Sequence, residues 1–98
     1  MISIKVYRQG RETLVAACDT DILGKTFTGK GVKFHVSESF YKGEEGDEEL
    51  LANRLEIATI ANLVGKRTVA CAIARGFVDP ACVLDIGGVP HAQMARMM

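Results

Sequence analysis

Ile2-Ser3-Ile4-Lys5-Val6-Tyr7-Arg8-Gln9-Gly10-Arg11-Glu12-Thr13-Leu14-Val15-Ala16-Ala17-Cys18 decides the fold class. Ile2, Ile4 and Val6 alternate with Ser3, Lys5 and Tyr7, the period of two expected of a half-buried strand. Arg8 to Arg11 reads as a turn with Gly10 at positive φ. Glu12 to Cys18 reads as the returning strand, so the chain opens on a β-hairpin. Beyond it, Asp19 to Gly24 reads as a single helical turn that Asp19 caps and Gly24 closes. Thr28-Gly29-Lys30-Gly31 reads as a loop. Val32, Phe34 and Val36, alternating with Lys33 and His35, give a third strand.

Asp47 is placed to cap a helix, with Glu48 and Glu49 in the first turn, where the helix dipole favours them. Leu50, Leu51, Leu55, Ile57 and Ala58 supply its apolar stripe. The spacing predicts a second helix from about Leu63 to Arg75, started by Asn62 and ended by Gly76 at the C′ position. Asp79-Pro80 is a turn. Cys82, Leu84 and Ile86 then alternate with Val83 and Asp85 in a fourth strand that runs into Gly87-Gly88. Ala95 to Met98 reads as a frayed tail. The order predicts an α+β fold: a small, mostly antiparallel sheet with two helices packed on one face. The 98 residues suffice for one domain, residues 1–98, with one modest core.

Twelve basic and twelve acidic side chains cancel formally, but unevenly along the chain. Residues 1–42 carry a net +3, residues 43–58 a net −5 and residues 59–98 a net +2. The acidic block repels a polyanion, so nucleic acid has to meet another face; its plainer reading is a solvated loop and helix start. Cys18, Cys71 and Cys82 are odd in number and have no metal-ligand spacing, which predicts a reduced intracellular protein without a metal site. Lys5 interrupts the N-terminal apolar residues too early for a signal peptide. No apolar run approaches the ~20 residues that span a bilayer. A cytoplasmic protein with no membrane partner is expected, and no cofactor is implied.

Three stretches are candidate sites. Asn62-Leu63-Val64-Gly65-Lys66-Arg67 offers a phosphate site if Asn62 caps a helix: free N–H groups at the helix start, a glycine that admits an anion, and two cations. It is not a P-loop, and Asn62 and Gly65 equally suit a tight junction between packed helices. Gly87, Gly88, Pro90, His91 and Gln93 form the second. Two permissive glycines and a fixed proline hold a shape beside an imidazole and a carboxamide. His91 can bond a phosphate, stack on a base, or act as general acid or base near its unperturbed pKa of about 6.5; Gln93 can read a base edge. The structural alternative is that Pro90 opens a last short helix and His91 fastens it. The third is a basic surface from Arg8, Arg11, Lys25, Lys30 and Lys33, with Tyr7 or Tyr41 as a stacking platform; RNP-like aromatic motifs are missing, and solvated lysines explain it as well. Cys71 and Cys82 suit core positions, and Asp19, Asp21 and Asp85 lack Ca²⁺-loop spacing.

Ala17-Cys18-Asp19 with Leu23-Gly24-Lys25, Phe40-Tyr41-x-Gly43, Ala61-Asn62-Leu63-Val64-Gly65 and Gly88-Val89-Pro90-His91-Ala92 occur in that order along nearly the whole chain. In this the sequence resembles the archaeal domain-of-unknown-function family numbered 424. The resemblance implies an archaeal source, a small stand-alone cytoplasmic protein, and an association with translation and RNA handling; it assigns no residue a role. Together these readings favour a binding module that touches RNA or a ribonucleoprotein through a phosphate-binding helix start at Asn62, Gly65, Lys66 and Arg67. Its affinity is then expected to fall steeply with salt. The alternatives are a protein-interaction adaptor or homodimer without a nucleic-acid role, and a small enzyme that uses His91 with a nearby carboxylate or thiol.

Overall fold

Strands β1 (Ile2–Gln9) and β2 (Glu12–Asp19) form the expected hairpin, in register from Ile2 opposite Asp19 to Gln9 opposite Glu12. The computed structural model describes residues 1–96. Gly10, at φ 60, is the first residue of the two-residue turn, where a type II′ connection requires positive φ. Thr20–Ile22 make one 3₁₀ turn. Asp19 precedes that turn without capping it, contrary to expectation; its carboxylate is used elsewhere.

Thr26–Gly29 (β3) and Val32–His35 (β4) pair in a separate two-stranded sheet. The stretch 28–31, read as a loop, is therefore the end of one strand and a tight turn. The alternation of β-branched Thr26 and Thr28 about Phe27 is the signal for β3. Next come the short helix α1 (Glu38–Tyr41), strand β5 (Glu44–Gly46) and helix α2 (Glu48–Ile57). Asp47 caps α2 as expected, accepting from the N–H groups of Glu49 at 3.1 Å and Leu50 at 3.2 Å.

The main departure lies at residues 60–64. Ile60–Val64 is a strand, β6, and the following helix, α3, spans only Lys66–Ala74. Asn62 stands mid-strand and caps nothing. Five apolar-rich residues read equally as buried strand or helix by periodicity alone. Gly65 makes the break: its φ of 111 and ψ of 151 fall where side chains are not tolerated. After a 3₁₀ turn at Pro80–Cys82, β7 (Leu84–Ile86) and β8 (Val89–Ala95) form a second hairpin. The fourth strand read from the sequence is thus shorter than expected, and the segment beyond the glycines is the last strand of the main sheet in chain order and not a short helix. Pro90 fits because the atom lacking a hydrogen faces β6 beyond its last pair, Val64 with His91. The expected fraying does not extend to Ala95 and Arg96. Ala95 ends β8, and Arg96 donates to the carbonyls of Leu55 at 2.8 Å and Ala58 at 2.9 Å. Met97 and Met98 lie outside the described residues.

The main sheet runs β5-β1-β2-β6-β8-β7. Among the described residues only β2 and β6 are parallel, so the mostly antiparallel α+β architecture is as expected. Helices α2 and α3 cover one face, where Leu51, Leu55 and Val69 pack on Ile2, Ile4, Val15 and Leu63. The other face is partly roofed by α1 and the β3–β4 hairpin around Ala16, Cys18, Tyr41 and Val64. Half of the net −5 block is tied down: Glu44, Glu48 and Glu49 pair with Arg54, Arg67 and Arg75. The last two pairs clamp the start of α2 to α3.

Candidate functional site

Pairing across β1, β2, β6 and β8 sets the roofed face out in rows. Tyr7, Leu14, Ile60 and Ala95 make one row, and Lys5, Ala16, Asn62 and Gln93 the next. Ser3, Cys18, Val64 and His91 make the third. The β1 member of each row fastens α1. Ser3 Oγ donates to the carbonyl of Tyr41 at 3.0 Å, Lys5 Nζ to that of Ser39 at 2.9 Å, and Tyr7 Oη to that of Phe40 at 2.8 Å. Tyr7 also stacks on Phe40, with centroids 5.5 Å apart and planes at 21°. Tyr7 is therefore engaged in holding α1, and the stacking platform expected beside the lysines is used internally.

Where α1 ends its cover, a cleft of ≈ 320 Å³ opens, lined by Leu14, Phe40, Ile60, Asn62, Gln93 and Ala95 among others. Asn62 and Gln93 are direct cross-strand partners in it. Asn62 is held rigidly: Tyr41 Oη donates to its Oδ1 at 2.6 Å, and His91 Nε2 lies 3.1 Å from the same oxygen. With Oδ1 occupied by the two donors, the Nδ2 hydrogens of Asn62 have no protein acceptor among the described residues. Asn62, His91 and Gln93 thus stand together, and Tyr41, Phe40, Leu14 and Ile60 complete the site. The sequence signal for it is the alternation of Ile60, Asn62 and Val64, which places a carboxamide inside an otherwise apolar strand.

His91 is half-buried, its ring centroid 4.9 Å from that of Phe34. Burial lowers its pKa below the usual 6.5, so the ring is neutral at pH 7. Because the unfolded chain binds the proton more tightly, stability is complete above pH 6.5 and declines as pH falls through that value. Urea titrations from pH 8 to pH 5 are expected to show this decline, and His91→Gln to remove that part of it. No carboxylate or thiol bonds to His91 among the described residues. Cys18 is two strands away, about 9–10 Å at ~4.8 Å per strand. Burial, then Asp19 and Asp21, push its thiol up to about 12, which keeps it protonated. No group of three His, Cys, Asp or Glu side chains among the described residues is arranged to hold a metal ion.

The helix start is different from expectation. Asp19 reaches it across the end of β6: its Oδ2 accepts from the N–H of Arg67 at 3.1 Å, and its Oδ1 from the N–H and Oγ1 of Thr68 at 2.8 and 2.7 Å. The chain's own carboxylate sits where a phosphate was expected. Gly65 is required for that approach, since a Cβ there would lie 2.5 Å from Asp19 Cγ. Lys66 is exposed and Arg67 holds Glu48, its Nη2 at 2.8 Å from Oε1. Gly87 and Gly88, at φ 60 and φ 87, form the type I′ turn of β7–β8. Gly29 backs onto that turn: a Cβ there would lie 2.5 Å from the nitrogen of Gly87. Both glycines are accounted for by this turn and the docking of β3–β4. The basic residues of the third candidate are divided between hairpins, Arg8 and Arg11 at β1–β2 and Lys30 and Lys33 at β3–β4.

The family model described as protein of unknown function, DUF424, matches residues 7–97. The chain belongs to this family. The four stretches that carry the DUF424 resemblance lie on adjoining elements: the end of β2, α1, β6 with Gly65, and the start of β8. All four border the roofed face. A crystal structure of an uncharacterized conserved protein from Methanopyrus kandleri is similar in fold, with a TM-score of 0.80 at 24% identity over 99% of this chain and 95% of that one. No curated protein matches the chain significantly. No helix of the described residues is long and apolar enough to cross a membrane.

Proposed function

We propose that the protein is a single-domain cytoplasmic binding module that takes one base of single-stranded RNA into the Asn62–Gln93 cleft. The observation that carries this reading is the pair of carboxamides facing one another on the cleft floor. Gln93 can match the donor–acceptor edge of a base, and Asn62, whose oxygen is already bonded to Tyr41 and His91, offers its Nδ2 hydrogens to a base acceptor. Unpaired RNA presents such edges for hydrogen bonding and stacking. Phe40 supplies the aromatic wall, and Leu14 and Ile60 supply the apolar one. A volume of ≈ 320 Å³ is at the small end of ligand sites, matched to one heterocycle. Tyr41 and His91 contribute by fixing the orientation of Asn62, which lowers the entropic cost of binding.

The phosphate-binding helix start is not part of this reading, because Asp19 fills it. The salt dependence expected from the sequence changes accordingly. With base contacts in place of phosphate contacts, affinity for short single-stranded oligonucleotides should fall only shallowly between 50 and 200 mM salt. Gln93 is exposed, so Gln93→Ala should leave the fold intact and weaken binding by about ten-fold, within the ~1–3 kcal/mol of one bidentate base contact. Fluorescence anisotropy with labelled oligoadenylate and oligouridylate measures both. Equal affinity of Gln93→Ala and the parent, or binding that disappears with salt, contradicts the reading.

A further inference from the structure

The outer side of β1 is only half used. β5 pairs with Ile2 to Ile4 and stops, and no strand among the described residues pairs with the outer side of Lys5 to Gln9. The direction of the free groups follows from the hairpin. Gln9 and Glu12 flank a two-residue turn and so bond to one another, which makes the odd-numbered residues of β1 face β2. Val6 and Arg8 then turn their N–H and C=O outward. The packing of Gly43 against the carbonyl oxygen of Ile4 agrees with this alternation. Beside the free edge lies a second cleft of ≈ 510 Å³, lined by Val6, Arg8, Glu44, Arg54 and Ile57.

Charge narrows what fits. Of six arginines, Arg54, Arg67 and Arg75 hold carboxylates and Arg96 holds backbone carbonyls. Arg8, which lines this cleft, and Arg11, in the adjoining β1–β2 turn, have no partner among the described residues. Arg54 is neutralised by a two-pronged bond to Glu44, both contacts at 2.8 Å. The cleft is left with the charge of Arg8 and an apolar floor of Val6 and the 41%-exposed Ile57. We propose that an extended acidic segment of a partner protein adds to this edge as a strand collinear with β5. Its backbone bonds to Val6 and Arg8, an apolar side chain rests on Val6 and Ile57, and carboxylates face Arg8 and Arg11. Cationic side chains at an open edge also discourage self-pairing, so the same residues that keep the free protein apart select an acidic strand.

The probe is a capped octapeptide of alternating valine and glutamate, with the valine–lysine peptide as control, read by ¹⁵N–¹H NMR and amide exchange. The acidic peptide should slow exchange at the Val6 and Arg8 N–H groups and leave the Asn62 and Gln93 side chains unmoved. Arg8→Pro removes one outward N–H without touching the β2 ladder and should weaken binding at least about ten-fold. Arg8→Glu, whose backbone is intact, should weaken it similarly and raise affinity for the lysine peptide. Equal binding of the two peptides, no protection at Val6 and Arg8, or protection produced by single-stranded RNA in place of the peptide would overturn the proposal.

Discussion

Asp19→Ala is expected to destabilise the protein by about 3 kcal/mol, as a lost N-cap (~1 kcal/mol) plus an orphaned buried hydroxyl (~1–3 kcal/mol). The side chain accepts three hydrogen bonds at the start of α3, and Thr68, which makes two of them, is 0% exposed. Alanine leaves the exposed Arg67 N–H to water, and the part-buried Thr68 N–H and hydroxyl without their acceptor. For a domain of this size the midpoint of thermal unfolding should fall by about 15 °C. Asp19→Asn keeps an acceptor oxygen and should cost clearly less. Inorganic phosphate should restore part of the loss in Asp19→Ala and leave the parent unchanged, because only the variant has a vacant helix start. Thermal and urea unfolding of the three proteins measures this. A loss below 1 kcal/mol would mean that the carboxylate does not hold α3.

Gly65→Ala carries the second large effect, about 2–4 kcal/mol. Two costs act together. The backbone at φ 111 is closed to a residue with a Cβ, and that Cβ would lie 2.5 Å from the Asp19 carboxyl carbon. The two costs separate in a double-mutant cycle. On the Asp19→Ala background the clash with the carboxyl group is gone and the backbone cost remains beside a 3.0 Å contact with the Cβ of residue 19, so the two substitutions should be less harmful together than the sum of their separate effects. Strict additivity would show that Gly65 serves the backbone alone.

Residues with one dominant role were legible in the sequence. Ile2, Ile4 and Val6 announce β1 because their alternation leaves no competing reading, and Asp47 with two following glutamates announces the start of α2. The stretch 60–64 was not legible. A five-residue strand that is apolar on its open side as well as its buried one, with Ile60 beside the cleft, has no amphipathic signature, and Asn62 before a helical pattern looks like a cap. The distinction rests on β2 and β8 pairing on either side, which is non-local. Asp19 shows the same limit: its local turn offers N–H groups to cap, but the N–H groups it satisfies belong to Arg67 and Thr68, more than forty residues on. Gly87-Gly88 announced a constrained backbone correctly, yet the constraint comes from a hairpin turn pressed against Gly29. At the site, His91, Gln93 and Asn62 were each singled out from the sequence. Tyr41 and Phe40, which complete it, come from a four-residue helix that was not anticipated.

A base in the carboxamide cleft would lie against the side chains of Asn62 and Gln93. The side-chain NH₂ signals of Asn62 and Gln93 report on it directly in a ¹⁵N–¹H titration of the protein with short single-stranded RNA at 150 mM salt. Base binding should give saturable shifts of both signals, together with the backbone of Ile60 to Val64, and none at Lys66 and Arg67. Shifts confined to Lys66 and Arg67, or no shift of the two carboxamides at saturating RNA, would contradict it.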